Sequence, residues 1–409
     1  MAYVPAAFIL AGMAAYTLLA GADFGAGLWM LLAAGPDAPR TRAEARHAMG
    51  PVWEANHVWL IFVLVVCWTG YPVAFGSIAS TLAIPLTAAA VGIIFRGAAY
   101  ALRGQGTSRS AETVMALSSV LTPFSLGTVV GAIATGRVPV GNAAGNVVTS
   151  WLNVPAVLIG VVAVAFSGYL AAVYLAADSV RGSNPALTRA FRARALIAGV
   201  VSGGVALAGL LVMRHSGLDL TGGLALVMVC VSALAGLATM ALCWLSRFQL
   251  ARLSAALAVA AVVAGWAAAQ APRMLPGMTV TQAAAGRATL IAIVIAVACG
   301  AAVLIPSLAL LYTLFLRGRL DAPEDAHVPQ TARGPDTPPT SLTPQDPDAT
   351  RESHHQLPRA SVAVAIIGLL AGAGLLVFTD PVWLHGLGVA CFLACAVSTF
   401  RLAGDRDSE

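Results

Sequence analysis

Lysine is missing from this sequence of 409 residues, so its basic charge, 23 residues in all, is carried by arginine. Charge of either sign is scarce, at 10% of residues where soluble domains carry about 25%. Apolar residues make up 59% against a usual ~45–50%, and the mean hydropathy is +0.84. Together these exclude an ordinary soluble enzyme. The chain also lacks a Walker loop, a dinucleotide-binding glycine fingerprint and a nucleophile elbow. Its six cysteines (Cys67, Cys230, Cys243, Cys299, Cys391 and Cys395) all lie inside apolar runs without metal-ligand spacing. They read as small packing residues, with no disulfide framework. A net charge of +5 does not indicate nucleic acid, because the arginines are scattered between apolar runs and form no continuous basic stripe.

What is present is a succession of apolar segments. A spanning helix needs about 20 predominantly apolar residues. That ruler gives nine segments, near 5–34, 54–75, 78–102, 112–135, 153–177, 193–213, 221–246, 251–270 and 287–316. Two more follow near 360–379 and 382–402. The chain is expected to be an all-α polytopic membrane protein, with residues 1–320 as its main membrane domain and 359–409 as a two-helix membrane extension. Residues 321–358 are dense in Pro, Asp, Thr and Gln and poor in large apolar residues, so they read as a disordered cytoplasmic linker. The adjacent His354 and His355 fall inside that linker and read as solvated. The first segment lacks a basic n-region and continues past Asp23, unlike a signal peptide.

Arginine sets the orientation. Connections after the odd-numbered segments hold thirteen arginines, among them Arg40, Arg42, Arg46, Arg189, Arg192 and Arg247. Those after the even-numbered ones hold four: Arg137, Arg214, Arg273 and Arg287. By the positive-inside rule the N-terminus is expected outside, with the odd connections and the C-terminus in the cytoplasm.

Polar residues inside a bilayer are expensive and therefore functional candidates. Asp23 sits among glycines in Gly21-Ala22-Asp23-Phe24-Gly25-Ala26-Gly27, which allows a neighbouring helix to approach its carboxylate. It serves either as a structural hydrogen-bonding group or as part of a proton path. Glu54 opens the second segment in Pro51-Val52-Trp53-Glu54-Ala55-Asn56-His57-Val58-Trp59-Leu60. It is either an acid favoured by a helix N-terminus or a proton-entry carboxylate, with Asn56 and His57 in the next turn. On a helix Trp53, Asn56, His57 and Leu60 share a face. Arg96, near the inner end of the third segment, either snorkels to the interface or pairs with Asp23 or Glu54. His215 and His385 lie near segment ends and His47 in a loop, so His57 has no opposite number for bis-histidine haem ligation. Residues alone leave two classes open: a subunit of a membrane complex, or a proton-coupled secondary transporter using the same carboxylates.

These stretches resemble a known family. The glycine-flanked Asp23-Phe24 stretch is similar to the first-helix motif of subunit II of cytochrome bd-type quinol oxidases, with Ala20 and Ala22 at positions that are often Asp and Phe. The stretch from Pro51 to Leu60 resembles the family's Pro-x-Trp-[Asp/Glu]-x-Asn-x-x-Trp-Leu signature. Phe95-Arg96, the loop from Gly131 to Pro139, the stretch from Trp266 to Pro276 with Gln270, and Pro306 with Leu311-Tyr312 match in order over residues 1–320. Residues 321–409 are unmatched.

The resemblance implies a nine-helix subunit of two four-helix bundles plus one helix, in a complex of the bacterial cytoplasmic membrane that oxidises quinol and reduces dioxygen. It implies a haem-bearing subunit I carrying haem b and haem d, while this subunit binds no haem. The family also places a structural quinone in some members, to which no residue here is assigned. The C-terminal extension could cap the complex or stand in for a small accessory subunit. Glu54 matches the family's proton-route acid, with Asp23, Asn56, His57 and Arg96 as its supporting residues.

Overall fold

The computed structural model describes residues 1–316 apart from 36–37, 50–52, 102–108, 182–183, 217, 219 and 221. The side chains of some further residues, Glu54 among them, also lie outside the described set, as do the expected linker and C-terminal extension. The chain runs through α1 (Tyr3–Leu31), α2 (Ala38–Met49), α3 (Trp53–Gly70), α4 (Pro72–Thr81), α5 (Ala83–Ala101) and α6 (Arg109–Ala134). It continues through α7 (Val154–Arg181), α8 (Pro185–His215), α9 (Gly223–Trp244) and α10 (Phe248–Gln270). A hairpin of β1 (Arg273–Leu275) and β2 (Met278–Thr279) leads to α11 (Val280–Ala283) and α12 (Arg287–Leu316).

Seven of these helices are long and apolar enough to cross a membrane. The pair α4 and α5, bent by 83°, makes an eighth candidate as a broken span, and Asn56–Gly70 in α3 is a shorter apolar helix. Helices α1, α3, α5 and α6 form one group and α7 to α10 a second, joined through α1 against α7, with α12 beside α3.

Three local features differ from the sequence reading. The second and third segments do not run to 75 and from 78, because the chain breaks at Tyr71-Pro72. A residue before proline is pushed out of the α region, and Tyr71 sits at φ −139°, ψ 61° as the N-cap of α4, with Pro72 starting the new helix. The first connection is a helix, α2, which contains His47. Its mixed sequence Ala-Pro-Arg-Thr-Arg-Ala-Glu-Ala-Arg-His-Ala-Met carries no apolar run, so a span-length ruler passes over it. Arg42 on α2 donates to the carbonyls of Ala33 at 3.0 Å and Met30 at 3.4 Å, capping the end of α1. The β-hairpin is also new. Its strands are two and three residues long, below any periodicity signal.

Small residues set the packing. Without a hydrophobic drive between helices in lipid, association depends on close van der Waals contact and interhelical hydrogen bonds. A Cβ at Gly25 would overlap the main-chain oxygen of Ser167 on α7, and one at Gly160 would stand 2.8 Å from the Phe124 carbonyl on α6. Trp29 on α1 adds a bond from its indole Nε1 to the Gly168 carbonyl at 2.8 Å. Residues Tyr169 to Val173 and Leu175 to Ala177 of α7 are buried, because this helix is covered by α1, α6, α8 and α10.

Gly25→Ala is expected to destabilise the purified protein by about 1–3 kcal/mol through overpacking, seen as a lower thermal midpoint in detergent. Gly203→Ala on α8, where an added Cβ meets nothing within 4 Å, is expected to change stability by less than about 1 kcal/mol, in the favourable direction.

Candidate functional site

The closest helix approaches surround a polar cluster. Arg96 on α5 is fully buried and Asp23 on α1 is 6% exposed. The guanidinium engages both carboxylate oxygens. Its Nη2 donates to Asp23 Oδ1 at 2.7 Å, and its Nε to Oδ2 at 3.3 Å. Nη2 also donates to the main-chain oxygen of Asp23 at 2.9 Å, and Nη1 donates to the hydroxyl of Ser119 on α6. Ser119 passes its own proton to the Met115 carbonyl at 2.6 Å. The guanidinium carbon lies 5.1 Å from the centroid of the Phe24 ring. Of the two fates open to Arg96, pairing with Asp23 is the one observed, and a fully buried guanidinium does not snorkel.

A buried ion pair is stable only when geometry is good and the remaining hydrogen-bonding capacity is met. Here the planar fork of arginine matches the carboxylate, and α6 supplies a further acceptor. Gly27 makes room for it, since a Cβ there would overlap Ser119 Oγ and stand 3.2 Å from Arg96 Nη1. The Asp23-Phe24-Gly25-Ala26-Gly27 stretch thus puts the acid toward α5, Gly25 against α7 and Gly27 against α6.

Helix α3 adds the second half of the site. Asn56 is 1% exposed and donates from Nδ2 to the Leu19 carbonyl of α1 at 3.3 Å. Among the described residues its Oδ1 is buried without a hydrogen-bond partner, as is the hydroxyl of Tyr16. His57 stands edge-to-face against Tyr16, at 6.0 Å between centroids, and against Phe24, at 6.2 Å. Phe24 therefore touches both the Arg96 guanidinium and the His57 ring. Val58, the next residue along α3, is exposed. Glu54 belongs to the first turn of α3, and its side chain lies outside the described residues.

Four of the five residues expected from sequence, Asp23, Asn56, His57 and Arg96, are thus gathered around α1. Sequence reasoning missed Ser119, Tyr16 and Phe24. Serine at 118 and 119 gives no distinctive signal in a helix that also carries Thr122, Ser125 and Thr128. Tyr16 lies seven residues before Asp23, two helical turns along the same face, and that spacing was the available clue. A separate apolar groove of about 520 Å3 lies between α5 and α6, lined by Ala83, Ile84, Thr87, Ala88, Val91 and Leu121. It includes none of the residues of the Asp23–Arg96 cluster. Among the described residues no group of three or more His, Cys, Asp or Glu converges as a metal site.

A family model described as cytochrome bd terminal oxidase subunit II matches residues 1–315. Among solved structures the chain is similar to the bd oxidase from Geobacillus thermodenitrificans, with a TM-score of 0.61 and 22% sequence identity. That similarity covers 77% of this chain and 98% of the other, and at this identity it concerns the fold. No curated protein matches the chain.

Removing one member of the buried pair is expected to cost about 3–5 kcal/mol, so Asp23→Asn and Arg96→Gln should each lower the thermal midpoint sharply. The double variant Asp23→Asn/Arg96→Gln, which leaves no uncompensated charge, should lose less than the sum of the single changes. Additive losses in that double-mutant cycle would show that the two side chains are not coupled.

Proposed function

The chain belongs to the cytochrome bd terminal oxidase subunit II family, and from that membership and the buried polar site we propose that it is the haem-free partner of a haem-bearing subunit I. In that role it supports the partner that oxidises quinol and reduces dioxygen, and it carries cytoplasmic protons toward the oxygen-reducing site. The reading is supported most directly by the gathering of Asp23, Arg96, Asn56 and His57 around α1, beside the helix α3 whose first turn holds Glu54.

The roles divide by geometry. Both oxygens of Asp23 are committed to Arg96, which makes this pair a fixed, nearly neutral dipole rather than a proton carrier. Its place in the proposal is to hold the α1–α5–α6 contact and to set the local field. Glu54, at the arginine-rich end of α3, is the acid proposed to take protons from the cytoplasm. Asn56, held by Leu19, and His57, held between two aromatic edges, are preorganised one turn further in. The imidazole can accept a proton on one nitrogen and release one from the other, and the buried Tyr16 hydroxyl and Asn56 Oδ1 are polar enough to order water along the route. The orientation follows the arginine distribution, with the N-terminus outside and the arginine-rich connections cytoplasmic.

The residues do not fit a haem. Among the described side chains, His57 is packed edge-to-face against Tyr16 and Phe24, and the other histidine, His215, ends α8 beside Arg214. The haem chemistry is therefore assigned to the partner subunit. The transporter alternative calls for broken helices at the bilayer midplane. The breaks at Tyr71 and Leu82 bound α4, which is tied to the connection after α6: Gly141 N–H donates to Ser77 Oγ at 2.9 Å and Ala143 N–H to Ser80 Oγ at 2.9 Å.

Glu54→Gln in the purified complex is expected to slow dioxygen reduction by about 10²-fold or more, the usual scale for a positioned acid or base, with the haem absorbance retained. Wild-type turnover at every pH tested would sink the proton-route assignment. Loss of haem absorbance would instead assign Glu54 to assembly.

A further inference from the structure

Most described arginines on the arginine-rich side are absorbed into the fold. Arg252 pairs with Asp178 at 3.1 Å, Arg42 caps α1, and Arg194 binds Thr41 and lies over the rings of Trp29 and Phe191. The corner where α9 turns into α10 is different. Arg192 on α8 lays its guanidinium over the Trp244 ring, 5.3 Å from the centroid, and donates from Nη1 to Ser246 Oγ at 3.4 Å. Arg189 is exposed three residues earlier on the same face of α8. Arg247, also exposed, directly follows Ser246. Among the described residues no carboxylate forms an ion pair with any of these three arginines. Trp244 and Leu245 beside them are each 67% exposed.

The orientation rule accounts for positive charge on this side, but not for its grouping around one exposed indole and a hydroxyl. Guanidinium groups match phosphate oxygens through two parallel N–H donors. An interfacial tryptophan packs against the glycerol and upper acyl region, and Leu245 extends that apolar surface. A soluble anion would use the arginines and leave the two exposed apolar side chains unexplained. A phospholipid uses all of them. The cytoplasmic leaflet is also where anionic lipids attract basic residues.

We propose that the corner formed by Arg189, Arg192, Trp244, Ser246 and Arg247 binds the phosphate headgroup of an anionic phospholipid in the cytoplasmic leaflet. The leaflet rests on the orientation argued above, whereas the lipid class does not. Occupancy would add a shared headgroup to the cation–π contact and the hydrogen bond that link the start of α8 to the α9–α10 turn.

The test is native mass spectrometry of the detergent-purified protein with its native partners, delipidated and titrated with phosphatidylglycerol or phosphatidylcholine of the same chains. One phosphatidylglycerol is expected to be retained in preference to phosphatidylcholine. Arg192→Gln/Arg247→Gln is expected to weaken that retention by about 10- to 30-fold, from the loss of two interfacial charges. Trp244→Ala, which keeps every charge, is expected to weaken it by about two- to fivefold and carries the test alone if the double variant fails to fold. Equal retention of the two lipids, or wild-type retention by these variants, would overturn the proposal. Displacement of the lipid by inorganic phosphate at matched concentration would overturn it too, by reassigning the corner to a free anion.

Discussion

The structure depends on placing one ion pair where charge is least tolerated. Separating Asp23 and Arg96 from water carries a penalty of several kcal/mol per ion, and their attraction offsets it only when the hydrogen-bonding groups are satisfied. The site meets that condition with three donors turned onto one aspartate and a fourth onto Ser119. Each partner comes from a different helix, so the pair is satisfied only while α1, α5 and α6 are packed. An interaction that would be weak on a surface therefore fixes the relative depth of three helices.

That requirement explains the composition around it. Polar groups can be shielded from lipid only where helices approach closely, and close approach requires small side chains. Gly25 and Gly27 follow the acid within four residues and face two different helices, while α7 behind them brings small residues, Ser167 and Ala171, to the contact with Gly25. The aromatic residues do the complementary work. Phe24 lies between the guanidinium and the imidazole, filling space that water or lipid would otherwise enter.

The candidate site was legible to the extent that it is made of residues a bilayer rarely tolerates. Asp23, Arg96, Asn56 and His57 stand out because each interrupts an apolar run. Ser119 did not, because a hydroxyl in a membrane helix normally bonds back to its own carbonyls, as Ser118 and Thr128 do here. Tyr16 and Phe24 did not, because an aromatic residue in an apolar helix is unremarkable until its neighbours are known. Helix α2 and the Tyr71 break escaped for another reason. A ruler tuned to span length responds to mean hydropathy, and neither a short polar helix nor a single proline at a helix junction changes that mean over twenty residues.

The sequence by itself determined the class of the protein, the approximate position of its apolar helices and the identity of its intramembrane polar residues. Hydropathy and the energetic penalty on buried charge are local properties that need no partner to be evaluated. Only the tertiary structure decided that Arg96 joins Asp23 rather than the interface, that Ser119 completes the pair, and that Arg192 meets Trp244 across a turn fifty residues away. These choices depend on which helix faces meet and at what depth. That is settled by the joint packing of small residues on several helices, and no single stretch of sequence contains it.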